Sequence, residues 1–145
     1  MADEFDIVLD LEDLNDYLTE IFPQVFARNG ELEIVDVSPG RCSIVLRAGE
    51  KHLRPGGSVS GPALFTLADC GGYACCLSHL GREALAVTTN LNINFMRKSG
   101  PGEIIGHTRI LKKGRRLLVF DIDIEGANGV GLIAHASGTY AIPPR

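Results

Sequence analysis

The sequence predicts an α+β domain in which one long central helix lies within a curved antiparallel sheet of about six strands. Three observations predict it. Residues 61–80, GPALFTLADCGGYACCLSHL, are apolar or small almost throughout and carry a single formal charge, Asp69. Two stretches before this run and four after it alternate polar and apolar residues between turn signals. No segment alternates strand with helix as a parallel βαβ sheet requires. The sheet has to curve, because a flat face covers only one side of a helix that is apolar on most sides.

In residues 10–22, Leu11, Leu14, Leu18, Ile21 and Phe22 recur at helical spacing behind Asp10, Glu12 and Asp13, and Pro23 stops the pattern. This predicts a short amphipathic helix packed on the body. After Asn29 and Gly30 the texture changes to ELEIVDV and RCSIVLRA, two strands joined by the turn Ser38, Pro39, Gly40. The central helix starts sharply, since Ser60 and Gly61 suit the N-cap region and Pro62 suits the first turn, and Gly81 ends it. Leu64, Phe65, Leu67, Ala68, Ala74, Cys75, Cys76 and Leu77 point in nearly every direction, leaving no broad face for water. Gly71 and Gly72 each cost ~1 kcal/mol relative to Ala in mid-helix, which the close approach of another backbone would offset. Four pieces at 84–97, 103–112, 115–125 and 131–142 complete the sheet. In the third of them Leu118, Phe120, Ile122 and Ile124 face one way and Val119, Asp121, Asp123 and Glu125 the other.

With 145 residues, 45% hydrophobic and 22% charged, residues 1–145 read as a single domain, with 1–27 an acidic helical segment packed on it. The first 27 residues hold eight acids and no Lys or Arg, unlike a secretory or transit peptide. The four cysteines form no CxxC pair, and Cys70, Cys75 and Cys76 sit in the apolar helix, as buried thiols of a cytoplasmic protein do. Pro62, Thr66, Asp69, Gly71, Gly72, Ser78 and His79 make that helix too polar for a membrane span. The formal net charge is −4, yet residues 28–145 hold 14 basic and 10 acidic side chains, which suits a phosphate-bearing small ligand. No basic run is interleaved with stacking aromatics, so nucleic acid is not indicated. His52, His79, His107 and His135 lack ligand spacing, so no metal site is expected, and the helix cysteines have no neighbouring base to activate them.

The residues around the helix start resemble the hotdog-fold thioesterases of the phenylacetate-degradation (PaaI-like) group. That family carries Asn-x-x-Gly-x-x-His-Gly-Gly and, several residues on, Leu-Ala-Asp. Here Gly57, Gly61, Leu67, Ala68 and Asp69 fall in register, while Arg54, Ser60 and Pro62 replace the Asn, the His and the second Gly. The similarity extends through AVTTNLNINFMRK and HASGTYAIPP, over roughly residues 30–143.

The resemblance implies hydrolysis of an acyl-coenzyme A (acyl-CoA) thioester, with Asp69 as nucleophile or as general base for water and the Gly61 backbone N–H binding the thioester oxygen. A helix N-terminus carries unpaired N–H groups and about half a positive charge, which suits a developing oxyanion. Asp69 lies eight residues further on, about 12 Å along the axis at 1.5 Å per residue. One helix therefore does not present both groups to one carbonyl. A second chain must complete the site, as in the family's homodimers, which often pair further into tetramers. A structural reading of Asp69, as a core acid satisfied by neighbouring backbone, stands beside the catalytic one.

The expected substrate-binding set includes Gly57 and the three departures from the motif. The Arg54 guanidinium is able to pair with Asp69 or contact a charged acyl group, Ser60 keeps a hydroxyl, and Pro62 has no N–H to donate. Tyr73 stands one turn after the acid, where relatives often carry a small hydroxyl. Along Val87 to Phe95, Thr88, Asn90, Asn92 and Asn94 are expected to line one face, where they can bond a pantetheine arm, a paired strand or solvent. Arg97 and Lys98, with Arg115 and Arg116 in the turn Lys112 to Arg116, suit coenzyme phosphates, although a basic hairpin is equally a solvated tip. No cofactor is implied, since coenzyme A is part of the substrate. Two other functions remain open. A hotdog hydratase or dehydratase would need a catalytic His, and His52 lacks the sequence context of the fatty-acid dehydratases. A non-catalytic acyl-CoA binding or sensor protein would need no turnover.

Overall fold

The computed structural model describes residues 5–144. Helix α1 (Leu11–Ile21) begins at Asp10, whose carboxylate accepts from the Asp13 N–H at 2.9 Å. Strands β1 (Leu32–Ser38) and β2 (Arg41–Ala48) follow, then the long helix α2 (Gly61–Leu80), then β3 (Val87–Phe95), β4 (Gly102–Lys113), β5 (Leu117–Gly126) and β6 (Gly131–Ala141). The six strands form one antiparallel sheet in the order β1-β2-β4-β5-β6-β3. Since β2 and β3 lie far apart in that order, α2 crosses the concave side of the sheet and packs on every strand.

The alternation read in the strands is what encloses the helix. Ile44 and Leu46 of β2, Ile104 and Ile110 of β4, Leu118, Phe120, Ile122 and Ile124 of β5, and Ala134 and Ala136 of β6 are buried together with Leu64, Leu67, Ala74, Cys75 and Leu77 of α2. Each large aliphatic side chain so buried contributes roughly 1.5–3 kcal/mol. The glycine pair meets side chains rather than another backbone. A Cβ on Gly72 would lie 2.3 Å from Phe120 Cζ, and one on Gly71 would lie 2.8 Å from Ile122 Cδ1.

Helix α2 is less completely covered than its composition suggests. Pro62, Phe65 and Thr66 are exposed and Asp69 is half-buried, a stripe at helical spacing on the N-terminal half. The reason is the placement of α1, which packs over the other half. Leu14 and Leu18 are buried there, the Val8 and Leu9 N–H groups donate to the Ser78 carbonyl at 2.8 and 3.1 Å, and Phe22 lies edge-on to Tyr73.

The far end of α2 is tied to the β1–β2 turn through His79. The Gly40 N–H donates to Nε2 at 2.9 Å, so Nε2 is the acceptor and Nδ1 carries the proton, 2.9 Å from the Cys75 carbonyl. Burial holds this imidazole neutral, with its pKa below the usual 6.5. An unfolded chain takes up a proton on this residue below about pH 6.5 and the folded one does not. Stability from this contact is therefore present above that pH and is lost on acidification.

Two outcomes follow from this packing. Gly72→Ala should lose roughly 1–3 kcal/mol in urea unfolding through overpacking against Phe120, despite the ~1 kcal/mol better helix propensity of Ala. The melting temperature should fall as pH drops below about 6.5, and His79→Gln should flatten that part of the profile.

Candidate active site

Asp69 is held in one orientation by two hydroxyls. Thr88 Oγ1 donates to Oδ1 at 2.7 Å, and Tyr140 Oη lies 2.7 Å from the same oxygen and 2.8 Å from the Asp69 backbone carbonyl. Tyr140 has one proton to give, and the charged carboxylate is the stronger acceptor. Burial, and then the neighbouring Asp69 charge, push the Tyr140 phenol far above its usual pKa, so it remains a donor. Oδ2 accepts no hydrogen bond among the described residues.

Strand geometry produces this pair of donors. Thr88 of β3 lies opposite Tyr140 of β6, and the register shifts between Thr88 and Asn90 so that Thr89 bulges out. The bulge corrects the single-face expectation for β3. Thr88 points inward to α2, while Asn90, Asn92 and Asn94 lie opposite Thr139, Ser137 and His135 on the outer face. The three asparagines are exposed and do not join Asp69.

The carboxylate opens into a cleft of about 510 Å³ whose other lining includes Phe22, Cys70, Tyr73, Leu85 and Val87. Asp69 is the one acidic side chain among its described walls. The Tyr73 hydroxyl donates to the Ala84 carbonyl at 2.8 Å, and burial raises its pKa to about 12, so it is a fixed neutral wall. Cys70 is raised to about 12 by burial and then by Asp69, which leaves a thiol rather than a nucleophilic thiolate.

The start of α2 lies in a different cavity, of about 360 Å³, lined by Arg54, Gly61, Phe95, Arg97 and Lys98 among others. Ser60 caps the helix, its Oγ accepting the Ala63 N–H at 3.2 Å, and its carbonyl accepts the Leu64 N–H at 3.1 Å. Pro62 has no N–H, which leaves Gly61 as the open donor of the first turn. Gly56 and Gly57, with φ of +103° and +86°, form the turn that returns the chain from Arg54 to Ser58. Gly57 shapes this loop without lining the cavity. Arg54 and Asp69 thus face different cavities of one chain. Arg97 and Lys98 share the Gly61 cavity, whereas Arg115 and Arg116 line a third cavity at the C-terminal end of α2, with His79 and Leu80.

Both the Asp69 and Gly61 cavities flank β3, the edge strand of the sheet, which pairs with β6 on one side and with no strand on the other among the described residues. Phe65, Leu85, Val87, Phe95 and Met96 expose apolar surface along it, Leu85 by 79%. Sequence reasoning did not single out Tyr140 or Phe22. Tyr140 was detectable as a hydroxyl on the buried face of an alternating strand, since a buried phenol needs a partner. Phe22 read only as the last apolar residue of α1.

A curved six-stranded antiparallel sheet around one long helix is the architecture of the hotdog fold. The sequence profile of the thioesterase superfamily matches residues 56–132. A crystal structure of a protein of Silicibacter sp. TM1040, provisionally named a thioesterase, is 46% identical over 97% of this chain and 96% of that one, with a TM-score of 0.87. A Pseudomonas aeruginosa protein provisionally named an esterase is 35% identical over 102 residues, 69% of this chain and 74% of its own. The phenylacetic acid degradation protein PaaI of Thermus thermophilus, in a mutant structure, shares the fold at 19% identity, over 77% of this chain and 93% of that one, with a TM-score of 0.68. The chain belongs to the hotdog-fold thioesterase superfamily and is a thioester hydrolase. Among the described residues no helix is long and apolar enough to cross a membrane.

Removing either anchor of Oδ1 should loosen the aim of Asp69. With Asp69 as the proposed reacting group, Thr88→Val and Tyr140→Phe are each expected to lower kcat by roughly 10- to 100-fold, as small misplacements of such a group do. Steady-state kinetics at a fixed pH, with circular dichroism to verify folding, checks this.

Proposed function

We propose that the protein hydrolyses an acyl- or aryl-acyl-CoA thioester to the free acid and coenzyme A, at a site that two copies of the chain complete. The observation that carries this reading is the separation of the chemistry within one chain. The Asp69 carboxylate opens into one cavity and the Gly61 N–H into another, at opposite ends of the same open strand edge. An antiparallel two-fold pairing of β3 about Leu91 would set Val87 beside the partner's Phe95, and would join each Asp69 cavity to the Gly61 cavity of the other chain. The unpaired edge and the apolar side chains beside it favour such an association. A dimer is the minimum assembly, and pairing of dimers into a tetramer is compatible with it.

In that dimer the thioester carbonyl lies between Asp69 Oδ2 and the N–H of Gly61 of the partner subunit. Oδ2 either attacks the carbonyl carbon or takes a proton from an attacking water. By either route the carbonyl oxygen gains negative charge, which the N–H at the helix start stabilises. Collapse expels the coenzyme thiolate, which takes up a proton. In the nucleophilic route water then cleaves the mixed anhydride and restores the carboxylate.

Charge gives the substrate a direction. Arg54, Arg97 and Lys98 around Gly61 suit the coenzyme phosphates, and the otherwise apolar Asp69 cleft suits the acyl group. The four free, buried thiols suit a reducing cytoplasm.

Thiol release from a panel of acyl-CoA substrates tests the activity. Asp69→Asn should abolish turnover without changing the mass of the assembly in light scattering. Gly61→Pro, which removes the N–H, should lower kcat by on the order of 10²–10³. Mixed dimers test the shared site directly, because one of their two sites keeps a normal Asp69 and a normal Gly61. Co-refolding the two inactive variants should restore about a quarter of wild-type activity for random two-fold assembly. A site built within one chain would stay inactive on mixing.

A further inference from the structure

We infer that α1 sets the length of the acyl group, with Phe22 as the residue that ends the acyl cleft; this rests on the acyl-CoA reading above. From Asp69 the cleft runs along α2 to Tyr73, one turn further on, and then to Ile21 and Phe22 at the end of α1. Its far wall is a row of aromatic rings. Tyr140 and Tyr73 lie with centroids 5.9 Å apart, and Phe22 meets Tyr73 edge-on at 6.3 Å.

The row has little freedom to move aside. Tyr140 is fixed by its contacts to Asp69, and Tyr73 by its bond to the Ala84 carbonyl. Phe22 is the C-cap of α1, its N–H bonded to the Leu18 carbonyl at 2.8 Å, and its ring packs on the buried Phe26 at 5.9 Å. Yet Phe22 is itself 36% exposed, so it closes the cleft toward solvent rather than filling the core. An acyl group directed away from the coenzyme passes Tyr73 and stops at this ring.

The end wall comes from the N-terminal segment, outside the part that the superfamily profile matches. The superfamily profile spans residues 56–132, so it holds Asp69, Tyr73 and Thr88 but no part of α1. Asp69 and Gly61 thus lie in the shared segment, whereas Phe22 at the end wall, like the Tyr140 anchor, comes from outside it. A blunt aromatic end favours short or compact acyl groups over long linear ones, because each methylene that fails to fit a closed apolar pocket costs on the order of tenfold or more in kcat/KM.

The experiment is a chain-length profile of kcat/KM, from butyryl- to lauroyl-CoA, for the intact wild-type protein and for Phe22→Ala, Phe22→Leu and Phe22→Trp. The ratio of long-chain to short-chain kcat/KM should rise roughly tenfold or more in Phe22→Ala, rise less in Phe22→Leu, and fall in Phe22→Trp. Thermal melts identify any variant that fails to fold, and the milder Leu and the larger Trp keep the comparison available if Ala does. A profile that keeps its shape while all substrates scale together overturns the role of Phe22, even where Asp69→Asn abolishes turnover. Absence of wild-type turnover across this panel and with phenylacetyl-CoA and benzoyl-CoA added to it overturns the acyl-CoA reading and this inference together.

Discussion

A long helix with apolar residues on most sides must be enclosed, and in this protein the sheet encloses most of it. That requirement sets the curvature of the six strands and forces the chain to cross from one side of the sheet to the other between β2 and β3. It also governs side-chain size at the contact. Gly71 and Gly72 leave room for Ile122 and Phe120, so the helix comes closer to the sheet than alanines would permit. The propensity lost at two glycines is offset by burial of a large aromatic and several branched side chains.

The enclosure is incomplete in one place, and the proposed active centre is there. Helix α1 covers the C-terminal half of the open side of α2, leaving the stripe from Pro62 to Asp69 uncovered. A carboxylate in a fully closed core would carry a heavy desolvation cost. At this stripe Asp69 is half-buried, with one oxygen held by Thr88 and Tyr140, and the residue lines the cleft. The same gap leaves β3 as an edge, so the feature that spares the carboxylate from full burial also offers the surface on which a second copy would dock.

Substitutions in the family motif acquire physical meaning in this setting. Ser60 spends its hydroxyl as a cap on α2, and Pro62 removes a competing donor, which leaves the Gly61 N–H as the open one. Arg54 adds a cation to the cavity that holds Gly61, next to Arg97 and Lys98. Positive charge is thereby gathered at one end of the β3 edge and the apolar cleft at the other.

The sequence alone determined the elements, because periodicity and turn chemistry are local. The amphipathic helix ending before Pro23, the capped helix from Gly61, and the alternating strands are each legible from local pattern, and Asp69 stood out as the single charge of an apolar helix and Gly61 through motif spacing. What the tertiary structure decided depends on pairing between distant segments. The bulge at Thr89 turns Thr88 inward while Asn90, Asn92 and Asn94 stay outside, and no local pattern announces where a strand gains a residue. Tyr140 reaches Asp69 across 71 positions of sequence, and Phe22 closes a cleft whose floor is on another helix. Those contacts exist only once the sheet has wrapped the helix, since burial and strand register, unlike periodicity, are properties of the whole chain.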